Sequence, residues 1–199
     1  MIRPSCRAGA PPAEPIIAAT DAVALQLLVV EIRPATHADR DAIWKIFQEI
    51  IAAGDTYPLD RNVSREDALA YWFQREAQVF VAENDGEIVG SYTLHPNQSG
   101  GGAHVANAAF IVAKHARGQG IGRAMGEHCL DEARRVGFRA MQFNFVVSTN
   151  ESAVKLWQDL GMKIVATLPG AFRHPEKGSV DVYVMFRSLV PANYANSRE

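Results

Sequence analysis

The chain has 199 residues, of which 48% are hydrophobic and 21% charged, a composition typical of one globular domain with a full core. Its formal net charge of −2 gives no electrostatic basis for binding nucleic acid or an anionic membrane, so neither partner is expected. The two cysteines, Cys6 and Cys129, are too few and too far apart for a disulfide framework or a metal cluster. No metal site is predicted, and a reducing, cytoplasmic location is expected.

Residues 1–27 are expected to form an N-terminal extension outside the domain. The apolar stretch from Ile16 to Val30 is interrupted by Asp21 and Gln26, and no run reaches the roughly 18 residues that a membrane span needs. Prolines and an acidic residue ahead of it argue against a signal peptide. The predicted domain therefore covers residues 28–190, and a C-terminal tail covers residues 191–199.

Hydrophobic periodicity and turn signals predict a strand, two helices and a hairpin in the first half of the domain. A Ser or Thr followed three residues later by Asp marks both helix starts, at Thr36 and at Ser64. Asp85-Gly86 accepts the positive φ of a tight turn and predicts the hairpin. The segments are a strand at Val29–Arg33, a helix from Thr36 to the break at Gly54, a shorter helix from Ser64, and strands at Val79–Glu83 and Glu87–Leu94.

The second half alternates strands with amphipathic helices that end at glycines. The segments are a strand at His104–Val112, a helix at Gly120–Val136, a strand at Ala140–Val147, a helix opened by Ser148 and Glu151 and stopped at Gly161, and strands at Lys163–Thr167 and Val180–Phe186 that flank an irregular loop, Pro169–Gly178. The order β-α-α-β-β-β-α-β-α-β-β contains no internal repeat and predicts a mixed α/β domain.

A glycine-rich loop follows the strand that ends at Val112 and leads directly into the next helix. Its alternating glycines are Gly118, Gly120 and Gly122, and Arg117 and Arg123 bracket them. Glycine allows positive φ and leaves backbone N–H groups unshielded, so several donors can point at one anion. The helix adds unpaired N–H groups and the positive end of its dipole. This pattern favours a pyrophosphate ligand.

Two other phosphate-binding patterns fit this loop poorly. A Walker loop ends in Gly-Lys-Ser/Thr, whereas Gly122 is followed by Arg123-Ala124. The dinucleotide fingerprint needs Gly or Ala at the position that Arg123 occupies. On this loop alone, an ordinary glycine-rich turn without a ligand and a nucleotide-binding interaction module both stay open.

Read as Arg-x-x-Gly-x-Gly, residues 117–122 resemble the acetyl-CoA pyrophosphate loop of the GNAT N-acetyltransferase superfamily. A second segment, Asn150 to Met162, is similar to the family's Asn-x-x-Ala-x-x-Leu-Tyr-x-x-x-Gly-Phe helix. The resemblance covers about residues 29–189. It implies the GNAT acyl-CoA N-acyltransferase fold, an α/β (α+β) domain whose central mixed, mostly antiparallel sheet has parallel, splayed strands 4 and 5 and is flanked by helices.

The resemblance implies that acetyl-CoA is the cosubstrate and that its acetyl group passes directly to an amine, without an acetyl-enzyme. The sequence is compatible with this, because no Ser-His-Asp or Gly-x-Ser-x-Gly pattern is present. Carried over by position, the strand residues Phe110, Ile111 and Val112 would bond the pantetheine arm. The pyrophosphate would be held, mostly through backbone groups, by Arg117, Gly118, Gln119, Gly120, Ile121, Gly122 and Arg123.

Asn150 and Trp157 occupy positions of the family's later helix. The match implies that the Asn150 amide contacts the CoA arm near sulfur, and a helix cap is an alternative role that can coexist with it. Many relatives have a tyrosine at the position of Trp157, whose hydroxyl can protonate the leaving thiolate, and an indole N–H is too weak an acid for this. Catalysis by positioning is therefore expected. For Trp157 itself, the alternative to a role in the site is that of a plain core residue.

Asn107 and Asn144 each interrupt an apolar strand, where a carboxamide needs hydrogen-bond partners. In a GNAT fold these strands are the splayed neighbours, so both side chains are expected to line the acceptor pocket, with a satisfied structural asparagine as the alternative. Together with Asn150 and Thr56-Tyr57 they resemble fungal acetyltransferases of proline analogues such as azetidine-2-carboxylate. Catalytic roles are expected for Asn107, Asn144 and Asn150, and acceptor binding for Tyr57, Asn107 and Asn144.

The catalytic base stays open. Many relatives have a glutamate on the strand before the loop, and His104–Val112 contains no carboxylate. The alternatives are His104, Glu83 acting through water, or no dedicated base. Acceptor specificity is expected to depend on the irregular segments Gly54–Asp60 and Pro169–Gly178.

The expected function is therefore transfer of the acetyl group of acetyl-CoA to a small, amino-acid-like amine. Two alternatives stay open, a protein or peptide N-acetyltransferase and a non-catalytic acyl-CoA-binding sensor. The absent tyrosine and strand glutamate are what suggest the sensor. A homodimer is a reasonable expectation, because sheet edges in this fold often pair.

Overall fold

The computed structural model describes residues 30–190, so the predicted extension 1–27 and tail 191–199 lie outside the described residues. The strands are β1 Glu31–Pro34, β2 Gln78–Asn84, β3 Glu87–Pro96, β4 Val105–Val112, β5 Ala140–Val147, β6 Lys163–His174 and β7 Gly178–Ser188. The helices are α1 Arg40–Ala53, α2 Arg65–Trp72, α3 Ile121–Arg135 and α4 Glu151–Asp159.

The strands form one sheet in the order β1-β2-β3-β4-β5-β7-β6. Every neighbouring pair is antiparallel except β4 and β5, which run parallel. These two strands are paired only where they begin, at Val105 with Ala140 and at Ala106 with Met141. Beyond this point they separate and the sheet opens. The predicted mixed, mostly antiparallel sheet with parallel, splayed strands 4 and 5 is confirmed.

Local signals explain where the elements of the first half begin and end. Ser64 caps α2, since its Oγ accepts a hydrogen bond from the N–H of Asp67 at 3.0 Å. Gly54 ends α1 in the left-handed region, at φ 69°. Asp85 and Gly86, at φ 50° and 80°, form the tight turn between β2 and β3.

Two sequence-based boundaries are wrong. Asn150, not Ser148, caps α4, and its Oδ1 accepts from the N–H of Ala153 at 3.2 Å. The segment Pro169–Gly178, predicted as a loop, belongs to β6 as far as His174. Its Pro-Gly pair coincides with a shift in the β6–β7 register rather than with the end of the strand.

The helices cover both faces of the sheet. Ser91 and Tyr92 are adjacent on β3, so their side chains point to opposite faces. Trp72 of α2 donates through Nε1 to Ser91 Oγ at 3.1 Å, whereas His128 of α3 lies with its Nδ1 2.6 Å from Tyr92 Oη. Helices α1 and α2 therefore cover one face, and α3 and α4 the other. Within residues 30–190, no helix has the length and apolar character needed to cross a membrane.

Candidate active site

The opening between β4 and β5 leaves one edge of β4 without a strand partner. The N–H of Ala113 donates to Val89 O at 2.8 Å and the N–H of Asn97 donates to Val105 O at 2.7 Å, which fixes the phase of the β3–β4 ladder. Odd-numbered residues of β4 therefore bond β3. Even-numbered residues such as Phe110 direct their N–H and C=O groups into the opening, where an extended ligand can bond as an added strand.

A groove of about 490 Å³ runs from this opening to the glycine loop, and we call it the cofactor groove. Gly118 and Gly120 lie in the left-handed region, at φ 78° and 84°, and a Cβ built on either would meet no atom within 4 Å. Their backbone therefore faces open space. Gly120 is also the N-cap of the 15-residue helix α3, whose first N–H groups have no partner within the helix. The loop has the geometry of an anion cradle.

The two arginines that bracket the loop differ in their partners. Arg123 donates through Nη2 to Asp159 Oδ2 at 3.0 Å and lies 3.9 Å from a Glu127 carboxylate oxygen. Arg117 also lines the groove, and no ion pair among the described residues involves it. Arg117 is therefore the arginine whose charge is available to a phosphate.

Three of the predicted cofactor residues turn their side chains away from the groove. Gln119 donates through Nε2 to the carbonyl of His115 at 2.9 Å. The side chains of Ile111 and Ile121 lie in the core, each 1% exposed. At Gln119 and Ile121 only the backbone is left to contact a ligand. At Ile111 the backbone groups bond Ser91 of β3, so this residue is not placed to contact one.

A second cavity, of about 290 Å³, lies on the α1–α2 side of the opening, and we call it the acceptor cavity. Its polar lining consists of hydroxyl, amide and imidazole side chains: Thr56, Tyr57, Tyr71, Gln74, Thr93, His95, Asn107, Asn144 and Asn150. The two cavities meet at residues that line both, namely Thr56, Phe110, Asn150, Ala153 and Trp157. Two ligands bound in them would therefore touch at the opening.

All three predicted asparagines line the acceptor cavity, in different environments. Asn107 Oδ1 accepts from the N–H of Ala108 at 2.8 Å, and the described residues leave its Nδ2 without a partner. Asn144 is exposed rather than buried in an apolar strand, and its amide bonds Asn97 at 2.6 Å and Gln142 at 2.8 Å. Asn150 lines both cavities while it caps α4, so the two roles expected for it are compatible.

Tyr57 fixes the 54–60 segment to the edge of β4. Its Oη donates to the carbonyl of Phe110 at 2.9 Å, and its ring packs edge-on against Phe47, with centroids 5.2 Å apart. Burial raises the pKa of the Tyr57 hydroxyl well above its usual range, so the group stays a hydrogen-bond donor. Tyr57 thus walls the acceptor cavity and occupies one carbonyl of the β4 edge.

The sequence profile of the acetyltransferase (GNAT) family matches residues 42–162, which include the glycine loop and the residues shared by the two cavities. The chain belongs to the GNAT acetyltransferase family. With the family comes the class of reaction, since a GNAT acetyltransferase is an acyltransferase.

Two relatives are similar over about two thirds of the chain. N-acetyltransferase aca1 of Schizosaccharomyces pombe is 29% identical over 151 residues, which are 67% of this chain and 72% of the relative. The L-methionine sulfoximine/L-methionine sulfone acetyltransferase of Salmonella typhimurium is 29% identical over 143 residues, covering 69% of this chain and 82% of the relative. The similarity to aca1 is consistent with the predicted resemblance to fungal acetyltransferases.

Two solved structures share the fold. A GCN5-related N-acetyltransferase from Kribbella flavida superposes with a TM-score of 0.77 at 46% identity, covering 80% of this chain and 97% of that protein. yncA, a putative acetyltransferase from Salmonella typhimurium solved with its cofactor acetyl-CoA, superposes with a TM-score of 0.72 at 26% identity, covering 81% and 95%. The GNAT fold predicted from the sequence is confirmed.

In this GNAT acetyltransferase, Trp157 is both a core residue and a wall of the site. It is 8% exposed and packs against Phe110 and Phe143, with ring centroids 4.6 and 4.9 Å apart. Gly126 of α3 permits this approach, because a Cβ there would lie 2.5 Å from Leu160 and 3.1 Å from the indole. The indole therefore shapes the junction of the two cavities.

No thiol nucleophile lies at the described site. Cys129 lies on the buried face of α3 and lines neither the cofactor groove nor the acceptor cavity. Cys6 lies outside the described residues. Burial raises the pKa of the Cys129 thiol well above its usual range, which disfavours the thiolate. The described site is thus compatible with direct transfer rather than with an acetyl-enzyme.

The two bases considered from the sequence lie outside both cavities. His104 is exposed, with its Nδ1 3.1 Å from the carbonyl of Gly101. Glu83 accepts two hydrogen bonds from Arg33, at 2.8 and 3.0 Å. Neither side chain is placed to meet an acceptor amine.

Sequence reasoning missed Thr93 and His95, which line the acceptor cavity from β3. They lie opposite Ala109 and Asn107 in the antiparallel ladder and share a face with them. The signal was present in the sequence, because Ser91, Thr93 and His95 alternate with apolar residues along a strand of a predicted hairpin.

Proposed function

We propose that this GNAT acetyltransferase transfers the acetyl group of acetyl-CoA to the amine of a small, amino-acid-like acceptor bound in the acceptor cavity. Acetyl-CoA is the cosubstrate, in keeping with the family and with the acetyl-CoA complex of yncA. The observation that supports a small acceptor is the cavity of about 290 Å³, which meets the cofactor groove at the opening of the sheet. This volume suits a small molecule rather than a chain segment.

The charge of the cavity supports a small neutral or zwitterionic acceptor. No Asp, Glu, Lys or Arg lies among the residues that line it. A site that selects basic peptides would be expected to present carboxylates, as complementary charge gives specificity. The Salmonella relative that acts on L-methionine sulfoximine and sulfone also favours an amino-acid-like acceptor.

Two hydrogen-bonding groups of residues that line the cavity have no partner among the described residues. Thr93 is 2% exposed and lines the cavity, and its Oγ1 has no partner among the described residues. Such a buried polar atom costs about 1–3 kcal/mol until something bonds it. Thr93 Oγ1 and Asn107 Nδ2 are both neutral donors. In the proposed complex they bond a carboxylate or hydroxyl of the acceptor, in place of a cation.

The backbone of β4 supplies the electrostatic part of the proposed mechanism. The thioester of bound acetyl-CoA supplies the acetyl carbon. The N–H of Phe110 points into the opening where the cavities meet, so it can donate to the thioester carbonyl as negative charge develops there. Tyr57 bonds the carbonyl of the same residue, on the following peptide group, and so helps to fix this edge of β4. The amide of Asn150 lies near the proposed sulfur position.

We also propose that residues 28–190 form the catalytic domain. The cytoplasmic location and the homodimer stay predictions from the sequence.

The test is thiol release from acetyl-CoA with a panel of amines. We expect turnover with small amino acids, including L-methionine sulfone and azetidine-2-carboxylate, and none with basic peptides. Thiol release with peptides alone would overturn the small acceptor. Calorimetric binding of acetyl-CoA without turnover of any amine would instead indicate the acyl-CoA-binding sensor.

A variant with a larger side chain in the acceptor cavity tests whether the acceptor binds there. Ala109 lines the acceptor cavity and does not line the cofactor groove. We expect Ala109→Leu to raise the KM of the acceptor while calorimetry gives an unchanged Kd for acetyl-CoA. An unchanged acceptor KM would show that the amine binds elsewhere.

A further inference from the structure

We propose that His95 is the base that takes the proton from the acceptor's ammonium group. This inference rests on the proposed acetyl transfer in the acceptor cavity. An amine nucleophile must be neutral when it attacks, so a positioned proton acceptor accelerates the reaction.

The position of His95 follows from the β3–β4 ladder. His95 lies directly opposite Asn107, and both side chains line the acceptor cavity. Thr93 is two residues away on the same strand and therefore on the same face. The imidazole thus belongs to a polar wall that an acceptor in the cavity would contact.

The hydrogen bond of the ring defines which nitrogen is free. His95 Nδ1 lies 2.9 Å from the carbonyl oxygen of Pro96. A carbonyl oxygen can only accept, so Nδ1 carries the hydrogen and the neutral ring has its lone pair on Nε2. Among the described residues, Nε2 has no hydrogen-bond partner. This is the tautomer required of a proton acceptor.

No other side chain that lines the cavity is suited to the task. The titratable groups of the lining are Tyr57, Tyr71 and His95, and the lining contains no carboxylate, ammonium, guanidinium or thiol. Burial raises the pKa of both tyrosines, and the hydroxyl of Tyr57 already donates to Phe110. Imidazole is the side chain that exchanges a proton in the neutral pH range.

The proposed steps conserve protons and electron pairs. His95 Nε2 takes one proton from the ammonium group, and the freed lone pair of the nitrogen forms the N–C bond with the thioester carbonyl carbon. The C–S bond then breaks, and its electron pair leaves with sulfur. The second proton on nitrogen goes to the thiolate, directly or through water. The products are the amide and the free thiol, and the imidazolium returns its proton to solvent.

The test compares His95→Gln with His104→Gln. His104 is a matched control, because its Nδ1 also contacts a backbone carbonyl but the residue lies outside both cavities. At pH 7.5 we expect His95→Gln to lower kcat by about 100-fold, as a positioned base contributes about 100- to 10,000-fold. The acetyl-CoA Kd from calorimetry should not change. His104→Gln should match the parent protein.

The pH profile separates a base from a structural residue. For His95→Gln, we expect the deficit in kcat to shrink as the pH rises toward 9.5, because solvent then supplies the neutral amine. A deficit that is the same at every pH would overturn the proposal and indicate a structural role. A loss confined to acceptor KM at low pH would also overturn it, since it would indicate an imidazolium that binds the acceptor carboxylate. If the parent protein acetylates no amine, the proposed function fails and the role of His95 fails with it.

Discussion

The cofactor groove and the acceptor cavity meet at the same opening in the sheet, yet they are built in different ways. The end of the groove that would hold the pyrophosphate is formed by backbone N–H groups of one continuous segment, 117–123, which includes the start of α3. The acceptor cavity is formed by side chains from segments far apart in the chain, including Tyr57, Thr93, Asn107 and Asn144. Backbone geometry sets the first site and side-chain identity sets the second.

This difference has a consequence for specificity. A site made of peptide groups binds the same ligand as long as the chain keeps its conformation, so a loop side chain that faces away from the ligand, such as that of Gln119, is free to vary. A site made of side chains changes its ligand whenever one of them changes, while the fold stays intact. Substitutions at the two sites should therefore fail in different ways.

The largest effect is expected at Gly120. A residue with a Cβ is strained at φ 84° by about 1–2 kcal/mol, and the side chain would project into the groove. We expect Gly120→Val to raise the Kd of acetyl-CoA by about 100-fold, measured by calorimetry. The side chain of Gln119 faces away from the groove, so Gln119→Val should change the Kd of acetyl-CoA by less than about twofold. Equal losses in both variants would mean that side chains, not the backbone, hold the ligand.

Apart from His95, Asn107 should give the largest effect in the acceptor cavity. Loss of its free Nδ2 donor removes a hydrogen bond to a charged or polar ligand group, so Asn107→Ala should lower kcat/KM for the acceptor by about 30-fold. The Kd of acetyl-CoA should not change. Asn107→Asp keeps the Oδ1 that accepts from Ala108 but replaces the donor with a second oxygen. It should be worse than Ala for acceptors with a carboxylate and no worse for amines without one.

The contrast between the two sites also explains what the sequence could predict. The glycine loop is a contiguous motif, so its position, its helix and its ligand class could be inferred together from residues 117–123. The asparagines could be placed near the acceptor only because the fold resemblance brought their strands together. Thr93 and His95 were missed because their importance depends on the β3–β4 register, and residues in such a ladder are remote from the motif in sequence.

Side-chain contacts inside the groove could not be predicted at all. Arg117 and Arg123 are equivalent in the sequence, since each brackets the glycine loop, and they differ in the structure because Asp159 of α4 bonds one of them. The predicted loop at Pro169–Gly178 failed for a related reason. Pro and Gly signal a turn locally, but pairing with β7 carries the strand through to His174.

The two arginines of the cofactor groove are expected to differ in their effect on acetyl-CoA binding. Arg117 carries a charge that is not offset by an ion pair among the described residues, so Arg117→Ala should raise the KM of acetyl-CoA by about 10-fold. The effect should shrink as salt rises, because added ions screen an exposed charge. Arg123→Ala removes a charge already paired with Asp159 and should change KM by less than about twofold. The measurement is a KM series at two salt concentrations.

Thr93 should give the smallest effect and is the sharpest test of a cavity built for a ligand. Thr93→Val removes the hydroxyl and keeps the shape of the side chain. If the acceptor bonds Oγ1, the acceptor KM should rise about fivefold with kcat little changed, because a neutral hydrogen bond contributes about 1 kcal/mol.

Stability provides the control for Thr93. A buried hydroxyl without a partner destabilises the free protein, so Thr93→Val should raise the free energy of unfolding by about 1 kcal/mol in urea denaturation. A structural threonine and an acceptor-binding threonine predict the same gain in stability without acceptor, and they differ only in KM. A more stable variant with an unchanged acceptor KM would mean that the hydroxyl bonds no part of the acceptor, and that the polar wall of the cavity begins at Asn107.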